Sequence, residues 1–305
     1  MKHIVGFSGG CDSQACALWV RQRVPAEDII LLNSEAGRNE HPITVQFVKW
    51  YSENIFPVVQ VVPLIKDLGN RGTMPGATRD RRREFSDDDE LTFDRLAYVK
   101  GIFPSRKAQF CTESLKMAPQ KRWTEENLPD GDFERYTGVR WQEGERGGCS
   151  VALPVIAAGG RRPRGRLHTP EREWDDYFDC YVNHPLASWT KAEVFAFLKE
   201  HGEPVNPLYT HGFSRVGCAP CINSGKEDIR LWAARFPEMI DKLRQWEKQN
   251  GRTFFAPCVP GYVINWVDEV VAWSRTSRGG KQFDLPMVEA DAADGACSSR
   301  YGLCE

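Results

Sequence analysis

The chain has 305 residues, with 40 Lys and Arg against 42 Asp and Glu for a formal net charge of −2. That balance gives no global electrostatic reason to expect a nucleic-acid or membrane partner. No apolar run approaches the length of a bilayer span and the first residues read as a core strand rather than a cleavable signal, so a soluble cytoplasmic protein is expected. The length allows one large α/β domain with appendages. Ten cysteines in a reducing compartment suggest reactive thiols or metal–sulfur ligation more than a disulfide scaffold.

Ile4, Val5 and Phe7 fit a short buried strand, and residues 15–20 an apolar helix packed on it. Between them lies Ser8-Gly9-Gly10-Cys11-Asp12-Ser13. The glycines let a ligand approach the main chain. Free amides at the helix start, with the Ser8 and Ser13 hydroxyls, would present donors to an anion that the helix dipole also favours. Asp12 adds a carboxylate that could share a magnesium ion with a polyphosphate. The plain alternative is a glycine turn capped by a serine. The run also resembles the Ser-Gly-Gly-x-Asp-Ser signature of the PP-loop, or ATP pyrophosphatase, superfamily, and it lacks the lysine of a Walker-type loop. The resemblance implies an adenine nucleotide alpha-hydrolase-like fold and a bound ATP or adenylyl nucleotide.

Residues 29–32 read as a second strand, 43–54 as a helix and 56–64 as a third strand. This βαβα rhythm predicts an open, mostly parallel sheet flanked by helices, with ligands beyond the strand C-terminal ends. The intervening polar edge, with Gly37, Glu40 and Pro42, resembles the second nucleotide-side loop of the phosphoadenosine phosphosulfate reductase branch. Residues 67–89 lack a sustained apolar period and read as an insertion or lid. A helix is expected from residue 91.

In the stretch Phe110 to Pro119, Cys111 and Lys116 resemble the Cys and basic positions of the same branch, and Phe110 stands where iron–sulfur members carry an adjacent cysteine. Lys116 could neutralise phosphate or sulfate charge. Residues 138–146 resemble its Gly-x-Arg-x-x-Glu-x-x-Arg segment, which assigns Arg140 and Arg146 to substrate oxyanions, with a structural salt bridge as the alternative for each. A second insert is expected near 158–173. The basic runs at 79–83 and 161–166 could contact phosphates or simply be solvated faces. Thr190 and Glu193 form a helix capping box.

Cys218-Ala219-Pro220-Cys221 is the second chemical signal. Two thiolates at this spacing can hold a metal or cluster, or form a redox disulfide. The surrounding text resembles the iron–sulfur-bearing reductases, which implies a [4Fe-4S] cluster on Cys218, Cys221 and Cys111, completed by Cys304 or Cys297. Cys304 also loosely resembles, by its place in the tail, the mobile nucleophilic thiol of those enzymes. The resemblance therefore divides the chain into a nucleotide-binding, sulfonucleotide-reductase-like region at 1–242 and a cysteine-bearing extension at 243–305. It implies reduction of adenylyl sulfate, or its 3′-phosphorylated form, to sulfite with a reduced thioredoxin-like partner. ATP-dependent thiolation of RNA or DNA, fed by a sulfur donor, is the alternative chemistry. Noncatalytic sensing of an adenine nucleotide is a third reading.

Overall fold

Five parallel strands and one antiparallel edge strand form a single sheet in the order β3-β2-β1-β4-β6-β5. The computed structural model describes residues 1–69, 76–105, 108–140, 171–255, 259 and 261–277. The strands are β1 Lys2–Gly6, β2 Ile29–Ser34, β3 Val58–Val61, β4 Phe133–Tyr136, β5 Arg172–Asp175 and β6 Cys180–Asn183. The α-helices longer than one turn are α1 Cys11–Arg21, α2 Pro42–Asn54, α3 Gly76–Arg82, α4 Phe93–Lys100, α5 Ala118–Asn127, α6 Lys191–Glu200, α7 Lys226–Arg235, α8 Pro237–Asn250 and α9 Val267–Ser274.

The central strands are apolar on both faces because helices cover both. Val5, Leu31 and Val58 pack with residues of α1, α2 and α6. On the opposite face Ile4, Leu32 and Val61 pack with Trp123 of α5 and with Leu128. Each fully buried aliphatic side chain in such a layer contributes roughly 1.5–3 kcal/mol. The capping box of α6 forms as expected: the Thr190 hydroxyl accepts from the Glu193 amide at 3.2 Å, and Glu193 accepts from the Thr190 amide at 2.6 Å.

Chain order reverses at β1. The chain moves through β2 and β3 on one side and then returns to place β4 and β6 on the other. Loops leaving the C-terminal ends of β1 and β4 flank that point, which is where open α/β sheets bind ligands. The expected phosphate loop leaves one of these two strands.

Three expectations change in detail. The third strand occupies only Val58–Val61, and the helix expected from residue 91 begins at Phe93. Within 67–89, expected to be an insertion without a core pattern, α3 packs on α4. Arg82 is buried there, with its guanidinium donating to the Ile65 carbonyl at 3.1 Å and to Asp87 at 2.8 Å. A buried arginine with both kinds of acceptor fixes such a segment without an apolar stripe. In the second expected insert, residues 172 and 173 belong to β5, and 158–170 lie outside the described residues.

The expected division after residue 242 falls inside α8. Met239, Ile240, Leu243 and Trp246 of that helix share one apolar cluster with Phe93 of α4 and Val267, Val270 and Val271 of α9. Helical continuity and this common cluster carry the fold across that boundary. Among the described residues, no helix is long and apolar enough to cross a membrane.

Candidate functional site

The loop joining β1 to α1 is buried and shaped by its own hydroxyls. Ser13 Oγ accepts from the Ser8 amide at 3.2 Å, lies 3.1 Å from Ser8 Oγ and donates to the Gly10 carbonyl at 2.9 Å. Gly9 has φ +77°, a left-handed conformation that L side chains rarely adopt. The amide of Cys11 donates to the Tyr209 hydroxyl at 3.0 Å, and Asn206 donates to the Gly9 carbonyl at 3.3 Å. Both partners come from the segment around the 3₁₀ turn Pro207–His211, so a distant part of the chain braces the loop from outside. Burial pushes the Cys11 thiol up to about 12, which makes it a packing group and not a nucleophile.

Arg140 closes the switch point. Its Nε and Nη2 donate to the two carboxylate oxygens of Asp12 at 2.8 and 2.9 Å, with both side chains buried. The carboxylate expected to share a magnesium ion is thus held by a guanidinium fork. Gly138, two residues earlier, lies so close to the β1–α1 loop that an added Cβ would stand 2.6 Å from the Asp12 carbonyl oxygen. The obstacle is backbone, which cannot rotate away. Gly138→Ala is therefore expected to cost about 1–3 kcal/mol through overpacking and to weaken adenine-nucleotide binding, read by urea unfolding and by calorimetric titration.

The loop after β2 carries Gly37 and Glu40. Gly37 has φ +59° and its carbonyl accepts from the Phe93 amide at 2.8 Å, which locks the loop to the start of α4. The next residues pair with the cysteine segment: His41 donates to the Gly217 carbonyl at 3.2 Å, Ala219 donates to the Asn39 carbonyl at 2.7 Å, and Glu40 bridges Cys218. Glu40 is buried, and one of its carboxylate oxygens has no hydrogen-bond partner. Burial raises its pKa to about 7 against the opposing pull of the Lys116 ammonium.

Cys111 and Lys116 reach this region from a distorted helical segment. Phe110–Thr112 is α-helical, and Glu113–Met117 widens into a π turn before α5. Such wide turns re-aim side chains and recur at functional sites. Cys111, Lys116, Cys218 and Cys221 line one cavity, together with Ala36, Asn39 and Asn223. The Asn223 amide donates to the Cys221 sulfur at 3.4 Å.

Among the described residues, no three His, Cys, Asp or Glu side chains converge to hold a single metal ion. A four-iron cluster instead takes one thiolate at each iron, so its cysteines stand apart around the cluster. Three thiols on one cavity suit that donor set. The fourth candidates, Cys304 and Cys297, lie outside the described residues, as does Arg146.

The expected residues thus gather into two groups. Ser8, Gly9, Gly10, Asp12, Ser13 and Arg140 meet at the switch point, and Lys116, Cys111, Cys218 and Cys221 line the cavity, with Glu40 paired to Cys218 by a backbone bridge. Sequence reasoning missed Asn39, Asn206, Tyr209 and Lys242. The Asn206-Pro207 step is a turn signal, but nothing local marks where that turn docks.

Residues 106–224 match the phosphoadenosine phosphosulfate reductase domain. This block holds the three cavity cysteines, Lys116 and both arginines of the expected oxyanion segment, and it excludes the β1–α1 loop. The chain is 29% identical to an uncharacterized 37.8 kDa protein of Escherichia phage 186, over 99% of this chain and 96% of that protein. It is 44% identical over 78 residues to the adenosine 5′-phosphosulfate reductase of Allochromatium vinosum, covering 24% of this chain and 30% of the reductase. It is 38% identical to that of Salinibacter ruber, covering 43% of each chain. The matches therefore span less than half the length of these two reductases. With the Ser8–Ser13 loop, these matches make the chain similar to the phosphoadenosine phosphosulfate reductase-like branch of the PP-loop superfamily.

Proposed function

We propose that the protein is a sulfonucleotide reductase that takes adenylyl sulfate or its 3′-phosphorylated form to sulfite. The observation that carries this reading is the shared cavity of Cys111, Cys218, Cys221 and Lys116, set against the Asn39–Glu40 loop of the nucleotide side. In this reading the loop from Ser8 to Ser13 holds nucleotide phosphate and Lys116 offsets sulfonyl charge. Arg140 keeps the two switch-point loops together through Asp12, and Arg146 contributes to oxyanion binding.

Cys304 is the proposed nucleophile. Its thiolate attacks the sulfonyl sulfur, the S–O bond to the nucleotide breaks, and AMP or its 3′-phosphorylated form leaves with the bonding pair. A dithiol of the thioredoxin class then attacks the resulting Cys304 thiosulfonate, which releases sulfite, regenerates the thiol and leaves the partner as a disulfide. Cys111, Cys218 and Cys221 would hold a [4Fe-4S] cluster, with Cys297 as the fourth ligand when Cys304 attacks. When bound, such a cluster supplies a redox-active, strongly polarising group at the cavity wall.

The test is one comparison under anaerobic conditions of ATP, adenylyl sulfate and its 3′-phosphorylated form as substrates, with iron and sulfide measured on the same preparation. Sulfite formation that requires reduced thioredoxin, and falls at least a hundredfold in Cys304→Ser, is the expected result. Pyrophosphate release from ATP that depends on RNA or DNA and a sulfur donor would overturn it in favour of thiolation. Tight adenine-nucleotide binding with no product at all would overturn it in favour of a sensor.

A further inference from the structure

The centre of the cysteine turn is held by a relay that begins on α8 and passes through Asn39, which lines the cavity. The Lys242 ammonium donates to the Arg38 carbonyl and to Asn39 Oδ1, both at 3.2 Å. The other end of the same amide, Asn39 Nδ2, donates to the Pro220 carbonyl at 3.2 Å. Pro220 lies between Cys218 and Cys221 in the chain. An asparagine side chain has one accepting and one donating end. A lysine can only donate, so its position dictates which end of Asn39 faces it and sends the NH₂ group to Pro220.

The surroundings fix each member of the relay. Lys242 lies 4.7 Å from the centre of the Trp246 ring, and Trp246 is buried in the α4–α8–α9 cluster. Asn39 is 1% exposed. Arg38 adopts φ +58°, uncommon for a residue with a side chain, and its guanidinium is tied to Glu90. The loop is therefore clamped on both sides in a conformation it would not choose alone.

We infer that Lys242 is a positioning residue for the cysteine cavity, acting through the Asn39 amide on the Cys218–Cys221 turn. This rests on the reductase reading only for what the cavity does; the relay itself is a statement about thiol placement. Lys242→Met keeps the length and apolar stem of the side chain and removes the donor. Without it the Asn39 amide is free to turn over, the bond to Pro220 is lost, and the two thiols shift relative to Lys116 and Asn223.

Two readouts separate the relay from the reductase reading. In metal-free protein, alkylation of Cys218 and Cys221 by iodoacetamide, followed by mass spectrometry, is expected to change at least fivefold in Lys242→Met and in Asn39→Ala. The double variant should change no further, because both lesions cut the same relay, and Lys242→Arg should return rates to within twofold of the native protein. In the anaerobic sulfite assay, Lys242→Met should lower kcat about tenfold with KM within twofold. Unchanged or additive alkylation effects would overturn the relay even if sulfite is made. Non-additive alkylation effects with no sulfite formed by the native protein would keep the relay and overturn the reductase reading. Should Lys242→Met fail to fold, Asn39→Ala and Lys242→Arg carry the same comparison.

Discussion

Replacing Arg140 with Met is expected to destabilise the protein by about 3–5 kcal/mol, the range for stripping one partner from a buried ion pair. The Asp12 side chain is 1% exposed and would lose two charge-assisted bonds at once. Water cannot replace them without opening the switch point. Asp12→Asn in the same background removes the buried charge, so the double variant should recover at least half of the loss. Urea unfolding of the four proteins gives the coupling energy, expected at 2 kcal/mol or more on the scale of contacting pairs. Adenine-nucleotide affinity should fall with Arg140→Met and stay low in the double variant, because the loops after β1 and β4 no longer share a fixed contact. A coupling below about 0.5 kcal/mol would mean that the pair is incidental and that other contacts hold the two loops together.

That pair also marks where sequence reasoning stops. Asp12 and Arg140 both stand out in the sequence, each with a role facing a ligand, yet 128 positions separate them and no local pattern announces that they meet. The β1–α1 loop was legible because its strand, glycines, hydroxyls and helix are contiguous and the physics of each is local. The parallel core was legible for the same reason, through strand and helix periods in the first 64 residues. The placement of β4 and β6 on the far side of β1, and the reversal of β5, depend on packing across the whole sheet and left no local trace. The cysteines divide likewise. Their spacing marked Cys218 and Cys221, whereas the polarity of the Asn39 amide is set by a lysine 203 positions away.

Glu40 provides the second large effect, and its sign is opposite to that of most carboxylates. Burial raises its pKa from 4.5 to about 7 in the folded protein. Between those values the folded state holds a proton that the unfolded chain has released, so stability falls as pH rises through this window and stays lower above it. The full cost corresponds to about 3 kcal/mol. Glu40→Gln is therefore expected to match the native protein near pH 4.5 and to exceed its stability by about 2–3 kcal/mol at pH 8.5. The difference between the two urea-unfolding profiles isolates Glu40 from every other titrating group. Lys116→Met should widen that difference, because the ammonium lowers the Glu40 pKa and its removal leaves burial unopposed. A constant difference across pH would show that Glu40 ionises as an ordinary surface carboxylate. A gain in stability at pH 8.5 joined to a loss of nucleotide turnover would identify Glu40 as a group kept for chemistry at the expense of the fold. Its place beside the cysteine segment, with one oxygen unpartnered, is where such a group is expected.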